Sequence, residues 1–211
     1  MFASAVLSLA FAASALAVPA LQARQSGPCA GFGAGSTATP TYNFTLTAVP
    51  SGAGANATGT PLVLGWGPAG DSPAASEWVL STEASWGENE WPYITLQDGA
   101  LLPQPGTDEH GLGAYNFGTD TGDEVLFTII GEEASPSTLN AVMLMCEVQL
   151  VSGSYVELAV NGDAGNFALC NATTTWVSNQ VNLVYAPNAD SGDYTYETCT
   201  PVRVELIPYD G

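Results

Sequence analysis

The sequence predicts an all-β domain, and three observations lead there. Apolar residues recur with a period of two, short clusters of Asp, Asn and Gly separate these runs, and no stretch carries the 3.6-residue stripe of an amphipathic helix. About twelve short strands result in one compact domain. That number suits a β-trefoil-like barrel, with a two-sheet β-sandwich as the alternative.

Taken in chain order, residues 2–16 are apolar and uncharged, and Ala15-Leu16-Ala17 gives the small-x-small pattern that a signal peptidase needs. Fifteen residues span only about 22 Å as a helix, short of a bilayer core of roughly 30 Å, so a signal peptide over 1–17 is expected rather than a membrane anchor. Residues 18–40 read as a short pro-segment with a monobasic trimming site after Arg24, followed by a glycine-rich irregular arm. The all-β domain is expected over 41–211. Its strands begin with Tyr42, Phe44 and Leu46 and continue with Leu62, Leu64 and Trp66. Val125 to Ile130 is apolar on both faces, as in a covered central strand. Val142, Leu144, Cys146, Val148 and Leu150 form the longest alternation, which turns Cys146 toward the core. Val156, Leu158 and Val160 follow, and Val202, Val204 and Leu206 close the chain. Asp98-Gly99 and Asn161-Gly162 mark tight hairpins.

Charge excludes several functions. The 211 residues carry 21 acids and two basic side chains, Arg24 and Arg203, for a net charge of −19. Phosphate backbones find nothing here to neutralise them, so nucleic acid is not an expected partner. Without lysine there is no Schiff-base chemistry, and a single histidine, His110, cannot build a multi-histidine metal site. His110 sits in an acidic loop and no G-x-S-x-G elbow exists, so a serine hydrolase is not expected either. The sequence assigns no catalytic residue, no metal and no cofactor.

Other residues point outward from the cell. Four cysteines without a C-x-x-C pair suggest two disulfides. Cys170 with Cys199 and Cys29 with Cys146 is the expected pairing, and Cys146 with Cys170 is the alternative. Asn43, Asn56 and Asn171 each open an N-x-[ST] glycosylation tripeptide. Four of the five tryptophans lie between residues 66 and 91. Trp66 and Trp78 are expected in the core, whereas Trp86 and Trp91 flank a turn and are the candidates for carbohydrate stacking. Glu83, Glu88 and Glu90 among them supply carboxylates for a glycosidase, the least favoured reading. Asp120, Asp123 and Glu124, and Asn188, Asp190 and Asp193, offer oxygen ligands for calcium but are read as turns. Arg203 and Glu205 share one face of the last strand and are expected to pair, at a worth of at most about 1 kcal/mol if exposed.

Phe167-Ala-Leu-Cys170, Asn182-Leu-Val-Tyr185 and Cys199-Thr-Pro-Val-Arg-Val-Glu-Leu206 resemble the C-terminal four-cysteine domain of the fungal internal-repeat (PIR) cell-wall proteins. Ile94-Thr-Leu-Gln-Asp-Gly-Ala-Leu101 looks like that family's strand-turn-strand segment. The likeness covers about forty contiguous residues and this fragment. The glutamine-containing repeats that link the family to glucan are absent, as is its dibasic processing site. The resemblance implies a secreted fungal surface or matrix domain and carries over no catalytic residue. The expected protein is therefore secreted, glycosylated and non-enzymatic, in the fungal cell wall or extracellular matrix. A carbohydrate-binding module or lectin is the alternative. Wall polysaccharide, held weakly, is the one expected partner, and no membrane anchor is expected once the signal peptide is removed. The C-terminus carries no apolar tail for a lipid anchor.

Overall fold

A computed structural model describes residues 29, 31–33, 35–54, 56–67, 77–116, 118–131, 145–149, 156–173 and 179–211. The expected signal peptide, the trimming site after Arg24, and Val142, Leu144 and Leu150 lie outside them. The described chain is all-β. Its strands are β1 (Phe44–Pro50), β2 (Thr60–Trp66), β3 (Glu77–Thr82), β4 (Tyr93–Gln97), β5 (Ala100–Gln104), β6 (Gly113–Asn116), β7 (Leu126–Ile130), β8 (Met145–Gln149), β9 (Val156–Val160), β10 (Phe167–Ala172), β11 (Val181–Tyr185) and β12 (Tyr194–Pro208). One helical turn, α1 (Glu83–Trp86), follows β3 and ends at Gly87, whose positive φ of 98° lets its N–H reach back to the Glu83 carbonyl.

Six strands close a barrel. β1 pairs β2, β2 pairs β3, β3 pairs β11, β11 pairs β10, β10 pairs β12, and β12 returns to β1. Closure depends on β12, whose first part lies along β10 while Val202–Pro208 runs antiparallel to β1, from Pro50↔Val202 to Phe44↔Pro208. The remaining strands pair with the stretches of β1, β3 and β12 that their barrel partners leave open. β4 and β5 form a hairpin beside β1, β7 adds β6 beside β3, and β8 and β9 extend β12. The two-residue hairpin at Asp98-Gly99 has φ positive at both residues (50° and 87°) and sits between the paired Gln97 and Ala100. Asn161-Gly162 does the same (52° and 84°) between Val160 and Asp163. This is the conformation that Asp-Gly and Asn-Gly tolerate best.

Alternation fills the barrel. Phe44, Leu46 and Ala48 from β1 meet Leu62 and Leu64, Leu80, Phe127, Phe167, Leu183, and Val202, Val204 and Leu206 in one buried cluster. The segment Val125 to Ile130 departs from expectation. Val125 and Phe127 are fully buried, but Leu126 and Thr128–Ile130 are only half-buried, so the strand has one covered face rather than two. It lies between β3 and β6.

The glycine-rich arm is bound rather than loose. Cys29 is bonded to Cys146, and Thr37 exchanges two backbone hydrogen bonds with Glu147 on β8 (3.1 and 2.9 Å). Cys29, Phe32 and Ala38 then cover Cys146, Val148 and Ala159 on the outside of the β8–β9 hairpin.

Candidate functional site

Trp78 packs against the core as expected, but Trp66 and Trp91 do not fall where the sequence places them. Trp66 shares the parity of Leu62 and Leu64, yet it is 47% exposed. It is the last residue of β2 and stands at the rim, beyond the packed interior. Trp91, expected at the surface, is 3% exposed and packs edge-on against Trp78 with ring centroids 5.9 Å apart. Glu88 and Asn89 of the preceding turn stay in water while the chain turns inward to begin β4. Trp91 is therefore a core residue and cannot offer an open stacking face. Trp86 is half-buried, and its ring lies 5.7 Å from that of Trp66. The outward aromatic pair is Trp66 with Trp86, not Trp86 with Trp91.

Glu83 and Glu88 are exposed, whereas Glu90 is half-buried. Burial, followed by the negative charges of Glu109, Glu88 and Asp108, pushes the Glu90 carboxyl above its ordinary range. Two carboxyls in unlike environments are an element of glycosidase chemistry. A cleft of about 170 Å³ opens nearby, but Glu83 and Asn89 line it and Glu88 and Glu90 do not. Its other walls include Thr45 and Thr47 of β1, Trp91 and Tyr93, and apolar residues of β1, β2, β4 and β12 such as Leu62 and Ile207. Tyr93 is stacked on Tyr209, with centroids 5.1 Å apart. His110 lies exposed in the turn that also holds Asp108 and Glu109.

Two polar clusters sit on the outside of the barrel wall. In the first, Asn182 Nδ2 donates to Glu124 Oε1 (2.8 Å), Ser81 Oγ donates to Asn182 Oδ1 (2.7 Å), and Gln180 Nε2 donates to Ser81 Oγ and to the Trp66 carbonyl (2.8 and 2.9 Å). Glu124 is only 5% exposed, and burial raises its carboxyl pKa to about 7 against the opposing effect of the Asn182 bond, with the Asp193 charge adding to the rise. In the second, Arg203 Nε donates to Glu205 (2.8 Å) and lies 3.6 Å from Glu157. Its Nη atoms donate to the Ala53 and Gly54 carbonyls (2.9 and 3.2 Å). The expected Arg203–Glu205 pair is present. It is not an exposed pair, because the arginine side chain is 17% exposed and also holds the β1–β2 turn.

All four cysteines are bonded, Cys29 with Cys146 and Cys170 with Cys199. Asn43, Asn56 and Asn171 are each exposed. The acidic stretches behave as turns: Asp123 accepts from the Asp120 N–H (2.8 Å), and Asn188 accepts from the Asp190 N–H (3.0 Å). Glu124 turns away from its stretch into the Asn182 chain. Among the described residues no group of three or more His, Cys, Asp or Glu side chains is placed to share a metal ion. Burial and the Glu147 charge raise the pKa of Tyr42, which hydrogen-bonds that carboxyl, and burial raises Glu147 in turn. No protein-family model, no curated protein and no solved structure matches the chain.

Proposed function

We propose that the chain is a secreted, glycosylated, non-enzymatic protein of the fungal cell wall or extracellular matrix. The observation that carries this reading is the complete pairing of its four cysteines, which oxidising compartments favour. The exposure of Asn43, Asn56 and Asn171 supports it, since each tripeptide is open to a glycosylating enzyme. Of the two architectures suggested by the sequence, a closed barrel with attached hairpins stands nearer the β-trefoil than the sandwich, although its wall order β1-β2-β3-β11-β10-β12 has no threefold repeat. The test is expression of the full chain in a fungal host, with intact-mass and non-reduced peptide analysis of the culture medium. The expected product lacks residues 1–17, carries glycans and has no free thiol. A reduced, unmodified chain retained in the cytosol would overturn the reading.

A carbohydrate-binding module is the second reading, favoured by the exposed indole of Trp66 beside Trp86. Replacing Trp66 with Ala should abolish any retention on β-glucan, mannan or chitin that this pair provides.

A further inference from the structure

We infer that the cleft between β1, β2 and the connection from α1 to β4 binds one neutral sugar ring. The inference rests on the extracellular reading only for where such a sugar is met. Size comes first: about 170 Å³ corresponds to five or six waters at about 30 Å³ each, too little for a drug-sized ligand and enough for one pyranose. Chemistry comes second. Thr45, Thr47, Asn89 and Tyr93 supply hydroxyl and amide groups, which match sugar hydroxyls as both donors and acceptors. Tyr93, half-buried and stacked on Tyr209 on one face, supplies aromatic surface for the C–H face of the ring, while buried Trp91 only floors the cleft.

Charge sets the class of sugar. Glu83 is the charged side chain of the lining, and it repels uronates and sugar phosphates. Arg203, the one basic residue in the described chain, is held by Glu205, Glu157 and the carbonyls of the β1–β2 turn, so it cannot serve an anionic ligand here. The aromatic wall is already in place. Tyr93 is stacked on Tyr209 above a floor fixed by the Trp91–Trp78 contact, so little side-chain freedom remains to be lost on binding. A single ring with few contacts should bind at about millimolar Kd.

The experiment titrates the full secreted glycoprotein with oligomers of β-glucan, mannan and chitin and with oligogalacturonate, followed by ligand-observed NMR. Asn89→Trp fills the cleft from an exposed turn position, and Glu83→Ala removes the wall charge without touching the core. At least one neutral oligomer should bind, weakened about tenfold or more by Asn89→Trp and unaffected by Trp66→Ala, and Glu83→Ala should narrow the preference for neutral over anionic sugar. Three results would each overturn the site: no neutral oligomer binds, the anionic oligomer binds best, or binding is lost in Trp66→Ala and kept in Asn89→Trp. A secreted, glycosylated chain that binds no sugar sinks the cleft and leaves the extracellular reading standing. A chain that binds but is retained in the cytosol does the reverse.

Discussion

The two polar clusters on the barrel wall solve one problem in opposite ways. Around Arg203, two buried carboxylates share a cation, and both Nη atoms of the guanidinium donate to carbonyls of the β1–β2 turn. Around Glu124, one buried carboxyl has only neutral partners, and it holds a proton until about neutral pH. A chain with 21 acids and two basic residues cannot give every buried acid a cation. The comparison teaches that one cluster is stabilised by charge pairing and is destroyed by removing the cation, whereas the other is stabilised by protonation and is relieved by removing the acid.

The largest expected effect is Arg203→Ala. It leaves Glu157 and Glu205 buried together with no cation, and a broken buried pair costs about 3–5 kcal/mol. Urea unfolding at pH 7 should show a loss of that size, and a loss below about 1 kcal/mol would return Arg203 to the class of exposed pairs. Next is Glu124→Gln. Because the folded pKa lies above the unfolded value, the folded state binds the proton more tightly. The stabilisation is full below the unfolded pKa near 4.5 and is lost as pH rises through about 7. Wild type should therefore weaken between pH 4.5 and 8 by on the order of 3 kcal/mol from this group. Glu124→Gln should remove that part of the pH dependence and be the more stable protein at pH 8. Equal pH profiles for the two proteins would show that Glu124 is not buried as described.

A smaller effect tests how closely the Glu124 chain is packed. A Cβ on Gly65 would lie 2.9 Å from Ser81 Oγ, 3.1 Å from the Trp86 ring and 3.2 Å from Gln180 Nε2. Gly65→Ala should cost about 1–3 kcal/mol in thermal unfolding, as overpacking usually does. Smallest is Glu157→Gln. Burial raises the pKa of Glu157, Arg203 lowers it and Glu205 raises it, so the carboxylate is poorly compensated. Its removal should change stability by less than about 1 kcal/mol at pH 7, in contrast to Arg203→Ala.

What was legible in the sequence was the part set by neighbours along the chain. The parity of Phe44 and Leu46 and of Val204 and Leu206 placed their side chains in the core, and the Asp-Gly and Asn-Gly pairs placed two turns. The facing of Cys146 suggested its link to Cys29, which the structure contains. What was not legible depended on distant chain. Trp66 has core parity, but its exposure is decided by where the barrel ends. Trp91 looked like a turn residue because nothing in its local sequence announces Trp78 as a packing partner. Glu124 stood in an acidic stretch, and only the arrival of Asn182, 58 residues on, makes it interior. The carbonyls that hold Arg203 come from about 150 residues earlier. The cleft likewise needs β1, the α1–β4 connection and β4 together before it exists.

The placement of Arg203 also governs how the protein meets a protease. Enzymes that cut after lysine or arginine have two cleavage points in the whole sequence, after Arg24 and after Arg203. The second bond lies inside β12, hydrogen-bonded to β1 along Val202–Pro208, with the arginine side chain withdrawn from the surface. Such a bond cannot enter a protease cleft without local unfolding, so its cleavage rate reports the opening of the barrel seam itself. The absence of lysine has a parallel outcome: amine-directed cross-linkers and labels find no side chain in this sequence to attack.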